Sequence, residues 1–427
     1  MRSITLDEVL HHANVSRAWE KVRNNRGAAG EDSVSIAELE SCFSSIWPGV
    51  ETSIRQRRYQ VAPLRPVSIP KPSGGRRKLL IPSVIDRIVQ QSLASTFGRR
   101  WEHRFLDNSY AYRPGRGAHG AIQQVLLDAG RLSSPFGLRI DIQDFFDTVS
   151  RAQIERIIGE TGCDEDVANL VHGVLGAPSA SLTGPVARIA GIPQGSPLSP
   201  VISNAILHHF DTVITRQNIV LMRYADDMLM ILPSEQSAHE AHKSAVSALT
   251  DLELRLNEKK TRIAPLNQIS FLGFGFERNG LGQWHSQLPL ETCDACRAHL
   301  RRMEDSAKSP AEMARFLNQW ASYFLPSPED RFRHGSFLTE IETLFHLPQS
   351  STSSHSSRQK PPQARPPESF SYDGSSSHSQ EYKKGWWAAR FILRRTRMGL
   401  TFKRKGLLPI PSGLRINVAG HHFHIRF

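Results

Sequence analysis

The run Tyr224-Ala225-Asp226-Asp227 constrains this chain more than any other segment. It sets two adjacent carboxylates between the apolar segments Val220-Leu221-Met222 and Met228-Leu229-Met230-Ile231-Leu232. That pattern predicts a tight hairpin between two buried strands. Ionised carboxylates at such a place are unfavourable unless something neutralises them. A hard divalent cation does so with oxygen ligands, while sharing its shell with substrate phosphates. Taken alone, an Asp-Asp pair also reads as a solvated hairpin tip, because aspartate is common in turns. A third carboxylate shifts the balance. Leu138-Arg139-Ile140-Asp141-Ile142 alternates as a strand does, and Gln143-Asp144-Phe145-Phe146-Asp147 follows with its acids at helical spacing. Asp141 is therefore expected near a strand end. Beside the hairpin, it gathers three carboxylates around one cavity. Two ions about 4 Å apart in such a cavity clamp the attacking and leaving oxygens of an in-line phosphoryl displacement.

Further blocks surround these acids in a fixed order. Trp19 to Val34 contains Asn24-Asn25-Arg26-Gly27-Ala28-Ala29-Gly30-Glu31-Asp32. Val67-Ser68-Ile69-Pro70-Lys71-Pro72-Ser73-Gly74-Gly75-Arg76-Arg77-Lys78-Leu79 reads as a hairpin with a Ser-Gly-Gly turn. Ile81 to Gln91 opens a helix. Then come Asn108-Ser109-Tyr110-Ala111-Tyr112-Arg113-Pro114-Gly115-Arg116-Gly117-Ala118-His119 and Gly191-Ile192-Pro193-Gln194-Gly195-Ser196-Pro197-Leu198-Ser199-Pro200. Leu256-Asn257-Glu258-Lys259-Lys260-Thr261 and Phe271-Leu272-Gly273-Phe274 complete the set. Over roughly two thirds of its length the chain resembles bacterial reverse transcriptases of the group II intron-like kind.

The resemblance implies an α+β right-hand polymerase fold, with fingers, a palm built on an antiparallel sheet, and a helical thumb. It implies that Asp141, Asp226 and Asp227 hold two Mg²⁺ ions, or Mn²⁺, helped by the Ile142 carbonyl. Asp144, Phe145 and Phe146 are placed at the incoming nucleotide, with the Phe146 ring under its sugar, where it excludes a 2′-hydroxyl. Phe145 also suits plain core packing. Gln194 is assigned to the nucleotide sugar or the template backbone, and Gly195 lets chains approach closely. Lys71 and Arg77 are favoured for the triphosphate, Arg77 through bidentate contact and Lys71 as a point charge. Lys260 is expected to reach a terminal phosphate, and Phe271, Leu272 and Gly273 to form a primer grip. Lys78, Arg113 and Arg116 join the nucleic-acid surface. Each of these basic residues has a plain alternative as a solvated surface charge.

The formal net charge of +12 suits a polyanion partner, since released counterions drive binding. No apolar stretch approaches the roughly 20 residues of a membrane helix, and Met1 to Glu8 holds no apolar signal block, so a cytoplasmic location is expected. Four cysteines make no disulfide framework at this length. Cys293 and Cys296, with His299 nearby, have no second Cys pair for a structural zinc, and their surroundings read as an amphipathic helix. His421, His422 and His424 alternate with Phe423 and Ile425 as in a half-exposed strand.

The organisation expected is an N-terminal extension and fingers over 1–135, a palm over 136–278, a helical thumb over 279–346, a flexible linker over 347–380 and a basic tail over 381–427. The linker is Ser-, Pro- and Gln-rich, a composition that cannot bury enough apolar surface to fold. The tail carries Lys383, Lys384, Trp386, Arg394, Arg395, Arg397, Lys403, Arg404 and Lys405. Cations with aromatic rings suit structured or unpaired RNA, while docking on the thumb explains the tail equally well. The sequence carries no recognisable endonuclease or ribonuclease H segment, and its maturase region is shortened or unrecognisable. The expected function is RNA-directed DNA synthesis from deoxynucleotides, with an RNA template, a DNA primer or product, and a dedicated structured non-coding RNA, in a setting such as antiphage defence. The alternatives are an intron maturase acting in splicing, and a polymerase that makes RNA or untemplated DNA.

Overall fold

A computed structural model describes residues 2–70, 75–188, 190–326, 331 and 334–345, with the backbone of 414–418 and 421–425. The centre is a four-stranded antiparallel sheet in the order β4-β5-β3-β6. Its strands are β3 (Phe136–Asp141), β4 (Val220–Tyr224), β5 (Asp227–Leu232) and β6 (Arg262–Pro265). β5 is apolar without interruption because both its faces are covered. Met228, Met230 and Leu232 point into one hydrophobic cluster, and Leu229 and Ile231 into another. The period of two in a strand sends alternate side chains to opposite faces, so a doubly covered strand needs both sets apolar. On one face lie α10 (Ser199–Thr215) and α11 (Glu235–Thr250). On the other lies α6 (Ala118–Ala129).

Before the sheet, α1 (Leu6–Val9), α2 (His12–Asn24), α3 (Ile36–Glu40) and α4 (Phe43–Arg55) pack around α5 (Val84–Glu102). Nearly every residue in the first half of α5 is buried, Asp86 among them. Its carboxylate accepts hydrogen bonds from Ser83 Oγ, the Tyr59 hydroxyl and the Ala62 amide, so a buried charge is satisfied at the helix N-terminus. β1 (Arg65–Pro70) and β2 (Arg76–Ile81) form the expected basic hairpin, with Ile69 opposite Arg77. Its turn, including Lys71, lies outside the described residues. Between β3 and α10 stand α7 (Phe145–Thr148), α8 (Arg151–Thr161) and α9 (Glu165–Leu175).

After the sheet, β7 (Ser270–Phe271), β8 (Phe274–Arg278) and β9 (Trp284–Gln287) make a small second sheet. Then come α12 (Leu290–Asp305), α13 (Pro310–Phe324) and a last helix, Gly335–Leu344. α13 starts with a Ser309–Glu312 capping box and buries Met313, Leu317, Trp320 and Ala321 on one face. Cys293 and Cys296 sit buried on α12, and burial pushes the Cys296 thiol up to about 12. They are packed thiols. Backbone β10 (Leu414–Val418) pairs with β11 (His421–Ile425), as the alternation of the tail predicts. The expected linker and the basic residues from Lys383 to Lys405 lie outside the described residues. Among the described residues no helix is long and apolar enough to cross a membrane. The α+β class and the antiparallel central sheet expected from the sequence are thus what the structure contains.

One buried polar cluster ties this architecture together. Arg223 on β4 and Asp211 on α10 are both fully buried, joined by bonds of 2.7 and 2.6 Å. Arg223 also donates to Asn204 Oδ1, Ser109 Oγ and the Ala225 carbonyl. A buried ion pair broken on one side leaves an uncompensated charge, which costs about 3–5 kcal/mol. Asp211→Ala is therefore expected to lower the unfolding free energy by about that amount in a urea titration, whereas Arg223→Met with Asp211→Leu together loses clearly less.

Candidate active site

The hairpin between β4 and β5 pairs Tyr224 with Asp227, so Ala225 and Asp226 alone make the turn. Two-residue turns of this sort require positive φ. Ala225 takes it at φ 58°, a conformation that costs a non-glycine residue roughly 1–2 kcal/mol. The Arg223 guanidinium holds the Ala225 carbonyl at 3.2 Å and fixes the turn from beneath. β5 pairs on its other side with β3, in a register that sets Asp141 opposite Asp227. Residues opposite each other in an antiparallel pair have Cα atoms about 4.5–5.5 Å apart. The three acids expected to converge are therefore neighbours at one end of the sheet.

Each meets different company. Asp227 is gripped by Arg139, whose Nε and Nη2 donate to its two oxygens at 3.2 and 3.1 Å. Lys260 Nζ donates to both oxygens of Asp141 at 3.1 and 3.0 Å, and Asn257 Nδ2 adds a third bond at 3.1 Å. Among the described residues no ion pair reaches Asp226. Burial, reinforced by the charge of Asp141, holds the Asp226 carboxyl above its ordinary range, against the pull of Arg77 and Lys260. Burial raises Asp227 as well, in spite of Arg139. As placed, the acids face these cations rather than one point. No group of three His, Cys, Asp or Glu side chains with metal-holding geometry occurs among the described residues.

The remaining site residues separate into those exposed near the acids and those turned away. Arg77 is exposed on the fingertip hairpin, near enough to act on Asp226. Lys78 is its neighbour on the opposite face of β2. Phe146 is half-buried and meets Phe145 edge-on at 5.5 Å. Phe145 itself is 2 % exposed and belongs to the core, the packing role the sequence left open for it. Asp144 is exposed with φ 44°, at the start of α7. The Gln194 carbonyl accepts from the Leu80 amide at 2.8 Å, tying the fingertip hairpin to the Pro-Gln-Gly turn. Gly195 has φ 125°, and a Cβ there would lie 2.8 Å from the Leu80 carbonyl oxygen, so only glycine permits this approach.

Three expectations need correction. Arg113 is buried, and its guanidinium donates to Glu102 and to the Leu106 and Ser109 carbonyls, so it braces a loop and presents no charge to nucleic acid. Arg116 is spent on the carboxylate and carbonyl of Asp107. Phe271 is fully buried, which leaves the expected grip to the half-buried Leu272 and Gly273. That tip leans on the helices behind it. Thr292 Oγ1 donates to the Gly273 carbonyl at 2.7 Å, and a Cβ on Gly273 would strike the Phe324 ring.

Four residues at the site escaped the sequence reading: Arg139, Asn257, Arg223 and Tyr112. The signal for Arg139 and Arg223 was present, since Arg223 is a lone charge in an otherwise apolar strand and Arg139 shares β3 with Asp141 as its only other charge. Asn257 and Tyr112 stood inside quoted blocks and gave no signal of their own.

Comparison with known proteins gives this arrangement a family. The family described as "Reverse transcriptase (RNA-dependent DNA polymerase)" matches residues 69–276, which run from the end of β1 through the central sheet into β8. "Protein YkfC" of Escherichia coli (strain K12) is 28% identical over 283 residues, covering 57% of this chain and 74% of that protein. The "Group II intron-encoded protein LtrA" of Lactococcus lactis subsp. cremoris is 23% identical over 265 residues, 58% of this chain and 42% of LtrA. A protein of Schizosaccharomyces pombe described as an "Uncharacterized 91 kDa protein in cob intron" is 25% identical over 213 residues, 50% of this chain and 26% of that protein. The chain thus matches less than half the length of the two intron proteins. Residues 69–276 thus match the reverse transcriptase family of RNA-directed DNA polymerases, and the chain is similar to its group II intron-encoded members.

Proposed function

We propose that this protein extends a DNA primer on an RNA template by adding deoxynucleoside triphosphates. The observation that carries the reading is the register that sets Asp141 opposite Asp227, beside Asp226 on the turn. Three hard oxygen donors crowd together there, and burial resists ionisation of two of them. That donor chemistry fits a pair of Mg²⁺ ions, or Mn²⁺, held by Asp141, Asp226, Asp227 and the Ile142 carbonyl. When bound, such ions ease deprotonation of a primer 3′-hydroxyl and offset charge on the triphosphate.

The chain's own groups do the remaining work in this reading. Arg77 approaches the triphosphate from the fingertip, and Lys260, 61 % exposed at its side chain, exchanges Asp141 for a phosphate. Lys71 keeps its assigned part on sequence grounds. Phe146 lies under the sugar, Asp144 and Gln194 flank the nucleotide, and Leu272 and Gly273 hold the primer end. Lys78 faces the nucleic-acid backbone. Fingers, palm and thumb divide at 1–135, 136–278 and 279–346, with the linker and basic tail beyond. The net charge of +12 and the cation-rich tail support a dedicated structured RNA as partner. We place the protein in the cytoplasm, with antiphage defence as its setting. A second reading, a splicing maturase, draws on the likeness to a group II intron-encoded protein. Splicing of a flanking intron that survives Asp226→Ala with Asp227→Ala would favour it.

Three outcomes are expected. Primer extension on an RNA template with labelled deoxynucleotides falls by about a thousandfold or more in Asp226→Ala. Unaltered extension would end the polymerase reading. Phe146→Ala narrows the preference for deoxy- over ribonucleotides by about tenfold or more, and unchanged sugar selectivity would remove Phe146 from this role. The third concerns stability with divalent ions chelated. The native pKa of Asp226 lies above its unfolded value, so the folded state holds more protons between the two, and stability declines as pH rises through that window. Asp226→Asn should then resist urea better than wild type at neutral pH, and match it below the ordinary carboxylate range.

A further inference from the structure

The loop 108–113 is welded to the site at several points. The Tyr110 amide donates to the Arg223 carbonyl at 2.9 Å, and the Arg223 amide to the Asn108 carbonyl at 2.8 Å. Arg113 clamps the loop from within. Asn204 Nδ2 donates to the Ala111 carbonyl, while Asn204 Oδ1 accepts from Arg223, which also holds the Ala225 carbonyl. The Ala111 and Ala225 carbonyls thus hang from one pair of side chains. Tyr112 and Asp226 are the residues that directly follow these two anchored carbonyls.

On both sides of Tyr112 this loop is withdrawn from solvent. Ser109 and Ala111 are fully buried, and Tyr110 and Arg113 nearly so, yet Tyr112 is 58 % exposed. It also holds φ 59°, a backbone conformation that a bulky residue rarely adopts. Backbone strain of this kind persists only where the surroundings over-determine it, and it gathers at functional sites. Nothing in the core gains from the outward ring. Partial withdrawal from bulk water raises its phenol pKa, followed by the charges of Asp226 and Tyr224, while Arg77 opposes them. Asp226 and Arg77 are thus both near enough for their charges to act on the ring.

We propose that Tyr112 is a stacking residue, its ring packing against a nucleobase at the point of nucleotide addition. An aromatic face accepts any base, which suits copying of every template letter, and a ring with only two side-chain torsions has little freedom to lose on stacking. The proposal deepens the polymerase reading and rests on it for the identity of the ligand.

The test uses the full chain, an RNA–DNA template–primer with a blocked 3′ end, and each dNTP in turn. Tyr112→Gly removes the ring and suits positive φ, so its melting temperature should stay near that of wild type. Its affinity falls by about tenfold, the usual scale for one lost stack. A loss confined to dNTP binding assigns the ring to the incoming base, and a loss in template–primer binding assigns it to the template or primer base. Tyr112→Phe keeps both affinities within about twofold. The proposal is overturned if Tyr112→Gly keeps both affinities, if Tyr112→Phe loses as much as Tyr112→Gly, or if Tyr112→Gly collapses the fold and so assigns the ring to packing. Because the primer is blocked, no turnover is needed. A wild type that binds through Tyr112 but never extends a free primer would sink the polymerase reading and leave this one standing.

Discussion

Like charges forced together at the end of one sheet are the constraint around which this molecule is built. The pairing of β3 with β5 puts Asp141 opposite Asp227, and the turn adds Asp226 beside them. Such a cluster is unfavourable in a partly buried place, and the chain answers with fixed cations. Arg139 lies two residues before Asp141, on the same face of β3, and takes Asp227. Lys260 and Asn257 come from the segment after α11 and take Asp141. Asp226 alone has no ion-paired partner among the described residues. The acid left without one is the acid at the tip of the turn.

Holding such a cluster needs a rigid base. The base is the Arg223–Asp211 pair with Asn204 and Ser109, fully desolvated and shared by β4, α10 and the loop 108–113. A polar network that is completely satisfied in a low-dielectric interior specifies one geometry, because any shift strands a charge. Two residues of positive φ, Tyr112 and Ala225, are held by this one network. The fingertip hairpin is fastened to the same region by backbone contact, from Leu80 to Gln194, at a distance that Gly195 makes possible. Fingers and palm are therefore coupled by main chain as well as by side chains.

The helices after the sheet approach the site through aromatic packing. Phe324 sits over Gly273, and Tyr323 contacts Phe274 at 5.7 Å between ring centroids. His119 on α6 lies with Nε2 2.6 Å from the Tyr323 carbonyl, joining the region before the sheet to α13. Burial, together with the charges of Tyr224 and Asp227, raises the Tyr323 phenol to about 12, which leaves it neutral as a packing group.

Much of this was legible before any coordinates. The strands about Asp141, Asp226 and Asp227, the basic hairpin, the amphipathic α11 and α13 and the strand-like tail all follow from local pattern, because periodicity and turn chemistry act over a few residues. Local pattern also carried the family, since the blocks stand in order along the chain. What it could not give was direction. Arg113 and Arg77 are both arginines in basic, loop-rich blocks, yet one braces Glu102 inside the fold and the other is exposed and acts on Asp226. Phe145 and Phe146 are adjacent rings, and only the tertiary packing sends Phe145 to the core. The pairing of Arg139 with Asp227, and of Tyr112's loop with the strand leading into the Asp226 turn, joins residues about a hundred positions apart. Composition and spacing determined which groups were available. The register of the sheet and the burial of Arg223 decided which of them meet, because contact between distant residues depends on how whole elements pack.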